Sequence, residues 1–387
     1  MIKTFVASTA EVDDVALAVE EIVSQLDLAG GLLKNSIAIM SCHYEFVDSG
    51  IVKAVCDALP FDVAGTISSP LSGAGEMDSF LMTLMVITAD DVEFVNVLTP
   101  SLNETPGQVI AKSYEEAAAA RDDKPELILT FAPFMMQNSG DEYVETISKA
   151  SGGVPCFGTL AVDDTLDFSS CYLLHNGQDY PDRMSMILCY GNISPKFYLV
   201  SMSHDKVLDK SAVITKSEGH VIMELNGRPV DVFLEDLGLI QVSESRYSMS
   251  SLPFFLDYND GTPKVSKNII TLTPERHVLC ASAMPEGCTV QIAQTDKNDI
   301  MLTTKQATQQ ILEDVKNASA LLIYSCVGRC MVLGGDQFDE MRLVEDALAG
   351  NVPYMMMYSG GEICPTVVEN GRATNRFHNN AFIACMF

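Results

Sequence analysis

Arg329 and Glu362 are the charged residues of this chain whose surroundings best suit ligand recognition. Arg329 stands in the glycine-flanked run VGRCMVLGG (327–335), directly after an apolar run. A guanidinium held there could grip a carboxylate through two parallel hydrogen bonds. Glu362 follows Gly360 and Gly361. Glycines permit close backbone approach, and a carboxylate beside them could receive an ammonium group. Together the two residues would clamp a zwitterion. The alternative is a structural salt bridge, with Glu340 or Glu362 as the partner of Arg329. His378 and Asn379 could hydrogen-bond a ligand, or His378 could be a satisfied core histidine. Cys326 with His378 raises the idea of a Cys-His nucleophile. Against it, Cys326 continues an apolar strand, with nothing nearby to lower its pKa. A zinc site from Cys326, Cys330, Cys364 and His378 lacks the usual paired spacing, so core cysteines are the simpler reading. VGRCMVLGG lacks the GK[ST] ending of a phosphate-binding loop. Neither metal nor cofactor is expected.

A formal net charge of -28 over 387 residues repels phosphate backbones and anionic lipid. Nucleic-acid and membrane-surface partners are therefore not expected. Cationic groups would be drawn in. The 11 cysteines are odd in number, and no pair has CxxC spacing. That pattern suits free thiols in a reducing compartment. The start, MIKTFVASTAEVDD, has no signal-peptide core, and the apolar runs are too short to span a bilayer. A cytoplasmic location is expected.

The elements that must position these residues recur. Strand, loop, helix, strand and hairpin appear three times: SIAIMSC to FDVAGTIS, ELILTFA to VPCFGTLA, and SALLIYSC to VPYMMMYSGGEI. The intervening helices are expected near 49–58, over 137–150 and over 336–350. Amphipathic helices over 11–27, 106–121 and 299–316 precede the three copies. Such units fit right-handed crossovers between parallel strands. Residues 205–285 break the pattern: VIMELNGRPVDVFLEDLGL reads as strand, turn and helix, followed by further strands. The fold expected is α/β, with mixed sheets built from three repeated αβαβ-hairpin units. If helices line one face only, the layers run helix-sheet-sheet-helix. Domains are expected at 1–207 and 208–387.

The third copy closely resembles the FIST C-terminal domain. The resemblance rests on Cys326 and Arg329 after the strand, Glu340 in the helix, Gly361-Glu362-Ile363, and Phe377-His378-Asn379. The first two copies resemble the FIST N-terminal domain. Met356 replaces the glycine usual before the aromatic of the GEI strand, which should re-line an adjacent pocket. The resemblance implies a bacterial sensory protein that binds a small polar ligand, an amino acid being one proposed class. Cys326, Arg329, Glu340, Gly361, Glu362, His378 and Asn379 would line the site. No output domain is evident, so a histidine kinase, cyclic-dinucleotide enzyme or chemoreceptor-type partner would act in trans. Two other readings stay open. One is a hydrolase or transferase using Cys326 or Glu362; the other is an interaction protein without a ligand.

Overall fold

The computed structural model describes residues 1–135, 138–165, 168–239 and 250–387. The first unit contains β1 (Ile2–Thr9), α1 (Val15–Ser24), β2 (Asn35–Cys42), α2 (Glu45–Asp48), α3 (Ile51–Asp57) and β3 (Val63–Ile67). It closes with the hairpin β4 (Leu71–Gly73) and β5 (Glu76–Asp78), then β6 (Met82–Ala89). The second unit repeats that order: β7 (Val92–Leu98), α4 (Pro106–Ala118), β8 (Leu127–Ala132), α5 (Gly140–Ser151) and β9 (Cys156–Leu160). Its hairpin is β10 (Leu173–His175) and β11 (Gln178–Tyr180), followed by β12 (Ser185–Gly191).

The third unit opens with β13 (Lys196–Val200) and is then interrupted. The insert holds β14 (Val207–Glu218), β15 (Val221–Leu225), β16 (Arg228–Pro229), α6 (Val230–Asp236), β17 (Phe254–Asp257), β18 (Val265–Lys267), β19 (Ile269–Leu272), β20 (Val278–Cys280) and β21 (Thr289–Ala293). The unit resumes with α7 (Lys297–Asp314), β22 (Leu321–Cys326), α8 (Val327–Leu333), α9 (Asp339–Leu348) and β23 (Tyr354–Ser359). It ends with the hairpin β24 (Glu362–Glu369) and β25 (Arg372–His378), then β26 (Phe382–Met386).

Local chemistry sets several of these bounds. Asp14 accepts from the Ala16 and Leu17 N–H groups and starts α1. Asp296 and Asp299 form a reciprocal capping box on α7. Ser139 caps α5, and Gly152, in the left-handed region, ends it. The expected start of that helix at 137 lies outside the described residues.

Each unit contributes one parallel crossover pair: β2 with β3, β8 with β9, and β22 with β23. The remaining pairings in these three sheets are antiparallel. The sheet orders are β1-β6-β2-β3-β10-β11, β7-β12-β8-β9-β24-β25 and β13-β26-β22-β23-β4-β5. Every sheet thus takes four strands from one unit and a hairpin from another. The exchange is cyclic: hairpin two joins sheet one, hairpin three joins sheet two, and hairpin one joins sheet three. The insert strands form a fourth, separate sheet. The expected boundary near 207 falls at the start of that insert, while the hairpins hydrogen-bond across it.

The three sheets share one core. Side chains on a strand alternate between its faces. In β22, Leu322 and Tyr324 enter the shared core, while Leu321 and Ile323 pack under helices. In β8, Leu127, Leu129 and Phe131 point inward, while Ile128 and Ala132 meet the outer layer. In β2, Ile37 and Ile39 point inward, with Ala38 and Met40 outward. Apolar residues on both faces are therefore required, which is why these strands are unbroken apolar runs. The expected two-sheet layering gives way to three helix-backed sheets around one centre. Exchanged hairpins leave no sheet free to pair with only one other. Among the described residues, no helix is long and apolar enough to cross a membrane.

Candidate functional site

Parallel crossover strands place their carboxyl ends on one side, where such folds usually bind ligands. Here those ends belong to all three units and are stitched together. The Val162 N–H donates to the Ile67 carbonyl, the Ser68 hydroxyl to the Tyr358 carbonyl, and the Gly360 N–H to the Leu160 carbonyl. The insert lies over this side. Between it and the third unit is a cavity of about 70 Å³, with Asn268, Ile269 and Ala281 on the insert side. Phe134, Phe168, Cys326, Gly328, Met331 and Asn379 close the other side. The approach is tight at Gly328, where a Cβ would stand 2.5 Å from the Asn268 amide nitrogen.

The expected site residues separate into two groups. Arg329 and Glu340 leave the cavity altogether. The run expected as a loop, VGRCMVLGG, winds into α8, and Gly334 at φ 61° ends it. One helical turn carries the Arg329 side chain inward, where both it and Glu340 are fully buried. The guanidinium donates to Glu340 Oε1 from Nε at 3.0 Å and from Nη2 at 2.8 Å. Nη2 also reaches the Thr304 hydroxyl at 2.7 Å, and Nη1 the Ser201 carbonyl at 2.9 Å. Glu340 additionally accepts from Thr304, Ser325 and Tyr358. Arg329, on α8, therefore ties together the segment just after β13, α7 and α9, and Glu340 extends the network to β22 and β23. Arg329 pairs with Glu340, not with Glu362, and the opposed Arg329–Glu362 clamp is not formed.

Glu362 differs from expectation in a second way. It does not end β23. The backbone turns at Gly360-Gly361, and Glu362 begins β24 in another sheet. Gly361 is obligatory here because a Cβ would lie 2.1 Å from the Phe377 ring. Glu362 is fully buried, Oε2 accepts from the Ala381 N–H at 3.4 Å, and Oε1 has no partner. Burial drives its carboxyl well above the ordinary 4.5, against the pull of Ala381, Ser359 and Cys326. Burial likewise pushes the Cys326 thiol far up, and the neighbouring Glu362 carboxylate adds to it. The thiol therefore stays protonated, the opposite of what an activated nucleophile needs.

A stability consequence follows for Glu362. A carboxyl whose folded-state pKa exceeds its unfolded value holds its proton more tightly in the native state. Its stabilising contribution is complete below about pH 4.5 and is lost as pH rises through the folded value. Glu362→Gln, which cannot ionise, should gain on the wild type as pH rises from 5 to 8 in urea unfolding. A stability difference that stays constant with pH would sink this account.

His378 is a core residue: it is buried at the end of β25, and its Nε2 donates to the Cys364 carbonyl at 3.1 Å. Burial lowers its pKa to about 3, so the ring is neutral. Asn379 lines the cavity. Its Oδ1 accepts from the Ser282 hydroxyl and the Asn268 N–H, which fixes its orientation and leaves Nδ2 without a partner. Asn268 Oδ1 is likewise unpartnered. Buried polar groups without partners cost free energy, and here a donor and an acceptor border one cavity. Of the seven expected residues, the fold brings Cys326 and Asn379 to the cavity wall and Glu362 beside Cys326. Gly361 supports the turn. Met356 points outward beneath the helices with Ile323 and Val344, so it does not re-line the cavity. Cys326, Cys330, Cys364 and His378 do not converge; among the described residues no group of three such ligands could hold a metal ion.

Residues that the sequence did not single out are Asn268, Phe134, Phe168 and Met331. Asn268 sits in KNIITL, expected only as strand, and no local spacing ties it to Cys326 some 58 positions on. Phe134 follows the end of β8 and so occupies a position where ligands bind in crossover folds.

Two family descriptions cover most of the chain. The FIST N domain matches residues 36–228, and the FIST C domain matches residues 229–365. No curated protein matches. Among solved structures, a cyanuric acid hydrolase from A. caulinodans aligns over 100% of this chain and 99% of its own, at 10% identity and a TM-score of 0.39. PurLQS from Thermotoga maritima aligns over 100% of this chain and 72% of its own, at 8% identity and a TM-score of 0.21. Scores this low bear on neither fold nor activity.

Proposed function

The chain belongs to the FIST family, whose domains are small-ligand sensors, and from that premise we propose that the cavity between insert and third unit is its sensory site. The ligand is a small polar molecule, with amino acids a first class to test. The protein works in the cytoplasm and signals to a separate partner, such as a histidine kinase, a cyclic-dinucleotide enzyme or a chemoreceptor-type protein. One observation carries this reading: Asn379 and Asn268, adjacent through the Asn268 N–H to Asn379 Oδ1 bond, both line one cavity, and Asn379 Nδ2 and Asn268 Oδ1 have no partner. A ligand offering an acceptor to one and a donor to the other would satisfy both. It would join insert to body, because Asn268 belongs to the insert and Asn379 to the third unit. Binding shifts the position of the insert only as far as the ligand's affinity differs between the two arrangements. With Arg329 engaged by Glu340, recognition of a carboxylate would fall to amide N–H donors rather than a guanidinium.

The test is a thermal-shift screen of amino acids and small amides on the wild type and on Met331→Trp, which fills the cavity. A ligand at 100 times its Kd should stabilise the wild type by about 2.7 kcal/mol and leave Met331→Trp unmoved. A shift of equal size in the variant would place binding elsewhere and end this assignment.

A further inference from the structure

A second cavity borders the first. It measures about 330 Å³ and shares the side chains of Phe168, Val327 and Met331 with it. The two differ in character. The small cavity is walled mainly by apolar side chains, whereas the larger one is lined by Ser69, Ser79, Asp163, Asp164 and Gln337. No Lys or Arg lines either of them among the described residues.

The two aspartates have different roles. Asp163 is buried, and its oxygens are taken up within its own loop by the Thr165 N–H and hydroxyl and by the Ser170 N–H. It braces the segment. Asp164 is 44% exposed, and its Oδ2 lies 3.3 Å from His43 Nε2. The Glu45 N–H donates to His43 Nδ1, which leaves Nε2 as the ring nitrogen facing Asp164. That buried nitrogen is close to Asp164 but off line for a hydrogen bond, and it has no other partner. The carboxyl of Asp164 is therefore held at the cavity rim with no Lys or Arg beside it, and the His43 ring is its neighbour on the protein side.

We infer that this second cavity receives the ammonium end of an amine ligand whose short apolar body occupies the 70 Å³ cavity between Phe134, Phe168 and Met331. The inference rests on the sensory-site assignment above and narrows its ligand class. The cationic end is obligatory, and a carboxylate is not. Size agrees: at roughly 30 Å³ of liquid volume per water, the small cavity suits a body of a few carbons. The overall charge of -28 raises the local concentration of cations around the protein.

The test uses three compounds with one apolar body and different ends: n-butylamine, N-butylacetamide and pentanoate. Binding is measured by calorimetry at 150 mM salt, which screens diffuse attraction to the acidic surface. The proteins are the wild type, Asp164→Asn and Met331→Trp. Butylamine should bind the wild type at least tenfold more tightly than the other two. Asp164→Asn should weaken it about tenfold, and Met331→Trp should abolish it. Asp164 is exposed enough for its amide replacement to fold, and the compound series reads the charge preference without any variant. If N-butylacetamide or pentanoate binds better than the amine and Met331→Trp removes that binding, the amine inference falls and the sensory site stands. If Asp164→Asn leaves butylamine affinity unchanged, the inference also falls. If none of the three compounds and no member of the amino-acid and amide screen binds, both fall.

Discussion

Glu340→Ala should destabilise the protein by about 3–5 kcal/mol, because it leaves the Arg329 guanidinium buried with its countercharge removed. Both partners are fully buried, and Glu340 also receives the Thr304, Ser325 and Tyr358 hydroxyls. Truncation strands four donors from four elements at once, on α7, α8, β22 and β23, and a buried ion has no water to fall back on. Urea unfolding of the single variant and of an Arg329→Met/Glu340→Leu double variant separates charge from packing. The double variant should recover most of the loss, since apolar replacement of a buried pair is often close to neutral. A single-variant loss under about 1 kcal/mol would mean the pair is worth no more than a surface salt bridge. The same experiment guards against a misreading. An Arg329 variant that loses ligand response would do so by loosening α8, not by removing a contact to the ligand.

Asp141→Ala should cost a similar amount, about 3–5 kcal/mol on the same ground, but at a different joint. Lys267, on the insert strand β18, is completely buried, with Asp141 Oδ1 2.7 Å and the Phe377 carbonyl 2.8 Å from its ammonium. Burial alone would lower the lysine pKa, yet Asp141 and Tyr258 outweigh it and hold the group above its ordinary value. Asp141 also accepts from the Ala283 N–H and the Tyr258 hydroxyl. These bonds join insert to second unit one residue away from Asn268. Their loss should therefore loosen the insert in particular. Hydrogen exchange is the discriminating measurement: β18 and β19 should lose protection in Asp141→Ala well before β2 or β8. Uniform loss of protection would show that the insert does not open as a unit. Because the cavity lies at this joint, ligand affinity should fall with it.

The repeated units illustrate what a local pattern carries. SIAIMSC, ELILTFA and SALLIYSC are apolar on both faces, and that property belongs to the residues themselves. It demanded cover on two sides, and the shared core plus outer helices supply it. The same holds for the turn and helix of NGRPVDVFLED, since the φ of Pro229 and the Asn226-Gly227 pair act within a few residues. The order and spacing of the third unit likewise sufficed to place the chain in its family.

The site was only half legible. Cys326 and Glu362 could be singled out because they stand at strand ends near glycines, and Asn379 because it belongs to the Phe377-His378-Asn379 run. Their partners could not, for three physical reasons. Whether VGRCMVL is loop or helix decides if Arg329 points at the cavity or at Glu340, and a single α-helical turn reverses the answer. A rotation at Gly360-Gly361, residues free to take many conformations, moves Glu362 out of its own unit's sheet and into that of unit two. Asn268 reaches Cys326 only because the insert folds back over the strand ends. By itself, then, the sequence determined most of the strands and helices and which family they form, though not the helix at VGRCMVL. The tertiary structure decided which charges meet, which hairpin serves which sheet, and that the cavity lies between insert and body. Local pattern is set by neighbours within a turn or a strand, whereas these choices depend on separate elements brought together, 58 positions apart for Asn268 and Cys326 and 126 for Lys267 and Asp141.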